Sequence, residues 1–328
     1  MREDIPRLTP LVVRAMAIVE GFIQEQIDGF DRELGKVARE VLSSGGKRIR
    51  PMLVLVSGLA GDFEPHRLKK AAAALEFFHN ATLVHDDVID EAKFRRGRST
   101  VFSQFGEKLA ALVGDFLFSQ TFILLSSYQD VEVLHIMSET GVSLAVGELA
   151  QLRNLYQPNL DEQFYLKRAR DKTASLFSSA CKIGATICGA SSPAIQLLGR
   201  CGESLGIAFQ IFDDILDIEG KTEITGKPVG SDIRDGIVTL PLIYAFKELE
   251  GKLEARDRIM EIFGQRDSSE SEVREVIGII RQTRALSRAK EKALGLVQAS
   301  SEIVRNFQNQ ELRSNLESIG KFVVNRYN

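Results

Sequence analysis

The most regular pattern in the chain is "LKKAAAALEFFHNATLVHDDVIDEA", from Leu68 to Ala92. Leu75, Phe78, Thr82 and Ile89 fall near one stripe at three- and four-residue spacing, the period of a helix rather than of a strand. Proline placement extends the reading. It costs about 3 kcal/mol inside a helix, and no proline lies between Pro65 and Pro158 or after Pro241. These tracts are rich in Ala, Leu, Glu, Lys and Arg, so they read as helices. There is no convincing alternating strand, no hairpin turn pair and no fixed-period repeat. The pattern predicts an all-α chain, a single domain over 1–328, because no linker separates two cores.

Three breaks punctuate the helices. "SSGGKRIRP" (Ser43 to Pro51) ends one and starts the next, and "YQPNLDEQ" (Tyr156 to Gln163) reads as a turn before a helix start. "EGKTEITGKPVGSDIRDG" (Glu219 to Gly236) exceeds an ordinary connection and predicts a functional flap.

Composition excludes more than it assigns. Apolar residues at 44% with 27% charged match a soluble globular protein with a core. A net charge of −3 points to neither nucleic acid nor an anionic membrane surface. The N-terminal "MREDIPRLTP" lacks the apolar stretch of a signal peptide. The best membrane-span candidate, "LAALVGDFLFSQTFILL", is interrupted by Asp115 and Gln120, so no membrane span is expected. The three cysteines, Cys181, Cys188 and Cys201, show no CxxC pairing and read as reduced, buried thiols of a cytoplasmic protein.

Chemistry enters with "HDDVID" (His85 to Asp90) and "FDDILD" (Phe212 to Asp217). Residues four apart share a helix face, so Asp86 stacks with Asp90 and Asp213 with Asp217, leaving Asp87 and Asp214 to the side. Such ladders of hard oxygen ligands suit Mg²⁺, which commonly bridges one or two carboxylates to a phosphate. With aspartate at roughly 5% of positions, a chance DDxxD is expected about 0.05 times in this length. The flanks are also apolar, unlike a solvated acidic face.

A diphosphate needs cations as well. "GGKRIRP" offers Lys47, Arg48 and Arg50 at a helix start, where backbone N–H groups and arginine forks favour phosphate oxygens. "RRGRST" adds Arg95 and Arg96, "RDKTASL" adds Lys172 and "TGKPVG" adds Lys227. His79 lies two helical turns before Asp86 on the same face. A rival chemistry is a di-iron carboxylate site built on the ExxH pairs Glu76/His79 and Glu132/His135, with Glu20 and Glu148 as further ligands. That rival leaves both aspartate ladders and "GGKRIRP" without a purpose.

The motifs "GGKRIRP", "LVHDDVIDEAKFRRG", "VGDFLFSQ", "GELAQL", "DKTASLF", "FQIFDDILD" and "GKPVGSDIRDGIVTLPLIYA" together resemble the trans-type (all-E) isoprenyl diphosphate synthases, or polyprenyl synthetases, in that family's order. The resemblance spans roughly Gly45 to Ala245. It implies a bundle of mostly antiparallel helices around a central cavity, a homodimer, and several Mg²⁺ ions per site, with Mn²⁺ able to substitute. It further implies that Asp86, Asp90, Asp213 and Asp217 bind metal at the cavity mouth, supported by Asp87 and Asp214. Arg95, Lys172 and Lys227 would hold the allylic diphosphate primer, and Lys47, Arg50, His79 and Arg96 isopentenyl diphosphate. Thr173 and Gln210 would line the reacting centre. One departure is Ser99, where the family commonly has proline; it is expected to alter a turn, not the chemistry.

The same resemblance places chain-length control four and five residues before the first aspartate. Thr82 and Ala81 are small, so the tunnel is expected to be open there, with Leu124, Leu125 and Met137 as candidates for its floor. The expected product is medium to long, about C35 to C45, with one helical turn of about 5.4 Å close to one isoprene unit. The alternatives are a short-chain synthase (geranylgeranyl or farnesyl), a non-catalytic subunit of a heteromeric synthase, and, ranked lower, a terpene cyclase.

Overall fold

Glu64 begins the helix that organises the first half of the chain. Its carboxylate accepts from the backbone N–H groups of His66 and Arg67 at 3.0 and 2.7 Å, and Pro65 occupies the first helical position, where no N–H is required. The computed structural model describes residues 6–30, 33–43, 45–95, 97–220, 229–266 and 268–325. It is all-α apart from one very short hairpin. By its packing the chain divides into two units: Met1–Thr140 with Leu176–Gly202 and Ser300–Phe322, and Gly141–Ser175 with Glu203–Ala299 and Val323–Asn328. Their boundaries fall within helices, not at linkers.

The first unit contains α1 (Pro10–Asp28), α2 (Glu33–Ser43), α3 (Ile49–Gly58), α4 (Pro65–Ile89), the strands β1 (Phe94–Arg95) and β2 (Arg98–Ser99), α5 (Val101–Phe105) and α6 (Glu107–Ser126). It also takes the first part of α7 (Val131–Arg153), most of α9 (Ser175–Ile187), the start of α10 (Ser192–Glu219), and most of α16 (Gln310–Asn325). Helix α4 packs on α1, α3 and α6. All of residues 71–78 are buried, so this half of α4 is enclosed on every side rather than along one stripe. Leu75 and Phe78 are core residues and Thr82 is half-buried, but Ile89 is exposed. The expected common stripe therefore ends before the aspartates.

Helix α6 is, by length and composition, apolar enough to cross a membrane. Here it packs along α4, with Val113, Leu117, Leu124 and Leu125 buried and Leu112 and Ile123 exposed. Helix α9 approaches α3 so closely at Gly184 that a Cβ there would lie 2.0 Å from the Val54 carbonyl oxygen. The hairpin pairs Phe94 with Ser99 and Arg95 with Arg98. It is a strand element that alternation could not reveal in two residues per side, and it places Ser99 in the hairpin rather than in a loop.

The second unit contains the rest of α7, α8 (Glu162–Ala169), a π-helical turn at Arg170–Ala174, the remainder of α10, α11 (Ser231–Arg234), α12 (Leu240–Glu248), α13 (Leu253–Phe263), α14 (Glu270–Arg281) and most of α15 (Ala285–Val304). Its core centres on Tyr165, Phe212, Phe246 and Phe263 with Ile211, Ile243, Ile259 and Ile280. Asp161 caps α8, as the turn-then-helix reading of 156–163 requires. Ser269 and Glu272 form a reciprocal capping box at α14. Glu162 ties three helices together, accepting from Lys292 (3.1 Å), Tyr244 (3.1 Å) and Lys247 (3.4 Å). The three cysteines are free and buried, and burial pushes the Cys201 thiol up to about 11.

Candidate active site

In the first unit, the last turn of α4 separates its three aspartates by environment. Asp86 is half-buried and Asp90 exposed, while Asp87 is 6% exposed. The buried carboxylate is matched by Arg95, whose Nε donates to Asp87 Oδ1 at 2.7 Å. Arg95 sits on β1, and Thr100 fastens the hairpin below it, donating to the Ala92 carbonyl at 2.6 Å. Asp87 is thus an anchor for the arginine hairpin, and Asp86 and Asp90 are the more exposed members of the triplet.

The second unit repeats the division on α10. Asp213 and Asp217 are half-buried and Asp214 is 3% exposed. Asp214 accepts from Tyr165 Oη at 2.6 Å and from Gln210 Nε2 at 2.8 Å. Burial pushes its carboxyl up to about 6, opposed by those two hydrogen bonds. Burial first, and then the Asp214 charge, hold the Tyr165 phenol well above its ordinary range, so it stays a donor. Residues 221–228 of the expected flap lie outside the described residues, and Asp217 gathers the chain that follows them. Its Oδ1 accepts from Ser231 N and Oγ at 3.0 and 2.7 Å, and its Oδ2 from Asp232 N at 3.0 Å. Gly230 turns the chain there at φ 80°, where a Cβ would lie 2.4 Å from Val273.

Lys172 and Thr173 lie on the π-helical turn, a local widening that often marks functional positions. Helix α7 comes so close that a Cβ on Gly147 would sit 2.7 Å from the Lys172 amide nitrogen. The next residue, Glu148, pairs with Lys172 at 2.5 Å, and its other carboxylate oxygen is buried with no hydrogen-bond partner among the described residues. Thr173 donates to Gln210 Oε1 at 2.6 Å. The expected neighbours Lys172, Thr173, Gln210 and Asp214 are therefore brought together within this unit.

The "GGKRIRP" cations divide by role. Arg48, in the left-handed region at φ 50°, turns inward and donates to Glu20 Oε1 (2.9 Å), Glu76 Oε1 (2.7 Å) and the Leu42 carbonyl (3.3 Å). It is a structural cation, correcting its expected place among the phosphate ligands: burial of Glu76 demands a partner. Arg50 stacks over the Phe177 ring at 5.1 Å and Lys47 over Phe322 at 5.0 Å. His79 is half-buried on α4. Arg96 and Lys227 lie outside the described residues. Tyr165 and Phe322 are partners sequence reasoning missed, while Glu148 and Phe177 fell within "GELAQL" and "DKTASLF" without being given these contacts.

The di-iron rival fails on the same contacts. Glu20 and Glu76 are engaged by Arg48 and Glu148 by Lys172, while His135 pairs with Glu139 on its own exposed helix face. Of the chain-length candidates, Ala81, Leu124, Leu125 and Met137 are buried in the first unit, and Thr82 donates to the His79 carbonyl at 2.7 Å.

The outer carboxylates are hard oxygen donors, the donor chemistry of Mg²⁺, so the residues fit that ion. An all-α fold with two DDxxD segments, each with its central aspartate buried and its outer pair more exposed, defines the isoprenoid synthase class. The chain belongs to the polyprenyl synthetase family, whose model matches residues 31–280; its members are prenyl diphosphate synthases, which are transferases acting on isoprenyl diphosphates. Among similar proteins, heptaprenyl diphosphate synthase component 2 of Bacillus subtilis (strain 168) is 32% identical, over 93% of this chain and 89% of that one. Octaprenyl diphosphate synthase of Escherichia coli (strain K12) is 37% identical over 74% and 75%. A crystal structure of polyprenyl synthase from Caulobacter crescentus CB15, complexed with calcium and isoprenyl diphosphate, matches with a TM-score of 0.90 at 33% identity, over 97% of this chain and 96% of that one.

Proposed function

We propose that the chain is a Mg²⁺-dependent prenyltransferase that condenses isopentenyl diphosphate with an allylic diphosphate, giving an all-trans product of about C35 to C45. The observation that carries this reading is the repeated placement of a buried, hydrogen-bonded aspartate, Asp87 or Asp214, between two more exposed ones, Asp86 and Asp90 or Asp213 and Asp217. Asp86 and Asp90, and Asp213 and Asp217, are the residues that would hold Mg²⁺. Bound there, the ion supplies positive charge to the diphosphate oxygens and so favours ionisation of the allylic C–O bond. Arg95, Lys172 and Lys227 bind the allylic diphosphate, with Lys172 released from Glu148 to do so. Lys47, Arg50, His79 and Arg96 bind isopentenyl diphosphate, whose double bond attacks the allylic cation. The hydroxyl oxygen of Thr173, supported by Gln210, favours that developing cation. The proton then leaves to the departing diphosphate, since no side chain at these positions is an obvious base.

The medium-to-long product rests on the small residues Ala81 and Thr82 and on the heptaprenyl and octaprenyl names of the relatives. Leu124, Leu125 and Met137 are the proposed tunnel floor. A homodimer and a cytoplasmic location belong to the same proposal. The first is supported by the exposed apolar stripe Val142, Val146 and Leu149 on α7, the second by the three free thiols. A two-component enzyme is the second reading, because the Bacillus relative is named a component 2.

The test is labelled isopentenyl diphosphate with farnesyl diphosphate and Mg²⁺, with and without EDTA, with product length read by chromatography. A metal-dependent product of seven to nine units supports the proposal. A stop at four units removes the open-tunnel argument while keeping the chemistry. No product from the isolated chain with any allylic primer would favour the two-component reading.

A further inference from the structure

Lys172 meets an anion of the protein's own before any diphosphate arrives. Its ammonium lies 2.5 Å from Glu148 Oε2, and the two side chains are 24% and 13% exposed. Neighbouring charges are matched in more open settings: Lys167 pairs with Asp171 at 2.5 Å and Arg170 with Glu203 at 2.9 Å, with both cations at least half exposed. The Lys172 pair is also fixed by the backbone. Gly147 has no side chain, so α7 lies directly against the π-helical turn, and Glu148 is the next residue along. Glu148 Oε1 is buried with no hydrogen-bond partner among the described residues. Drawing the ammonium away therefore leaves a largely buried carboxylate with neither oxygen matched by those residues, and a charge in that condition pulls its counter-ion back.

We infer, on the proposed reading of Lys172, that Glu148 sets the grip of the allylic site: it competes with the bound diphosphate for the lysine, weakening capture and taking Lys172 back when the anion leaves. Elongation makes that competition useful. Each condensation leaves inorganic diphosphate where the allylic group was held, and this ion must depart before the lengthened chain can serve as the next primer. A lysine with no second anion to turn to would keep the ion longer and slow every cycle.

The test is calorimetric binding of farnesyl thiolodiphosphate, whose carbon–sulfur bond resists ionisation, to the unmodified chain, Glu148→Gln, Lys172→Met and the double variant, all with Mg²⁺. Glutamine keeps the length and shape of the side chain and removes the charge. Glu148→Gln is expected to bind the analogue about tenfold more tightly, with KM for isopentenyl diphosphate within about twofold. Inorganic diphosphate should inhibit that variant at a correspondingly lower concentration. In the Lys172→Met background the same change should alter affinity by less than about twofold, since no lysine remains to be contested. A gain at least about fivefold larger with the lysine than without it supports the inference. A smaller difference overturns it, because charge removal at a distance would then explain the gain. An unchanged or weakened affinity in Glu148→Gln also overturns it, the latter marking a carboxylate that steadies Lys172 for the anion. An unaltered affinity in Lys172→Met alone removes the reading of Lys172 and the inference together, whereas a weakened Lys172→Met beside an unaltered Glu148→Gln removes the inference only. If Glu148→Gln does not fold, Glu148→Met enters the same cycle under the same criteria.

Discussion

Replacing Arg48 by methionine separates a structural cation from a substrate-binding one. Its pair with Glu76 joins side chains that are 13% and 6% exposed at 2.7 Å, so removing the guanidinium strands a carboxylate in the core. Breaking such a pair costs about 3–5 kcal/mol. The second pair, to a Glu20 side chain that is 45% exposed, adds at most about 1 kcal/mol. Methionine retains most of the stem packing, so the loss is chiefly electrostatic. At about 2–4 °C per kcal/mol for chains of 150–250 residues, the melting temperature should fall by on the order of 10 °C. Adding Glu76→Gln should recover part of that fall, because a neutral amide is less costly to bury than an unpaired charge. The assay is thermal unfolding of the single and double variants, with KM for isopentenyl diphosphate measured well below the transition. KM should stay within about twofold of the unmodified chain. A tenfold rise in KM with an unmoved melting temperature would return Arg48 to the phosphate ligands and refute the structural assignment.

Two further outcomes follow from packing and charge. Gly184→Ala should destabilise the first unit by about 1–3 kcal/mol or more, because its Cβ would meet the Val54 carbonyl oxygen at 2.0 Å. Gly21→Ala on α1, with nothing within 4 Å of its Cβ, should instead be stabilising by about 0.5–1 kcal/mol; equal melting temperatures for the two variants would contradict the packing described. Glu162 supplies the pH dependence. Burial alone would raise its carboxyl, but hydrogen bonds from Lys292, Tyr244 and Lys247 outweigh burial and lower it below its ordinary 4.5. A depressed carboxyl contributes stability that is fully present above the unfolded value and is lost as pH falls through the folded one. Urea midpoints should therefore fall less steeply below about pH 4.5 in Glu162→Gln than in the unmodified chain. Identical slopes would count against the three-helix tie.

The helices were legible because their determinants are local. Proline-free tracts, the Glu64–Pro65 start and the turn before Glu162 all act within a few residues of themselves. The paired aspartate ladders were legible for the same reason, since a spacing of four puts two carboxylates on one face whatever surrounds the helix. The stripe assigned to Leu75, Phe78, Thr82 and Ile89 was less accurate. A period of 3.6 cannot announce that α4 is enclosed on all sides at one end and open at the other.

Sequence alone thus determined the all-α class, the metal-suited chemistry of the outer aspartates and the membership signalled by the ordered motifs. Tertiary structure decided which partner each charge meets. Arg48, Arg50 and Lys47 share one short motif, yet Arg48 faces Glu76 while the other two lie over Phe177 and Phe322. Asp214 has the same residue type as Asp213 and Asp217, yet only its position against Tyr165 and Gln210 gives it two donors in the core. These partners lie 28 to 275 residues away in the first group, and 4 and 49 away in the second. A buried charge or an amide dipole takes its role from whatever stands within about 3 Å, and over most of these separations that is settled by packing rather than by local spacing.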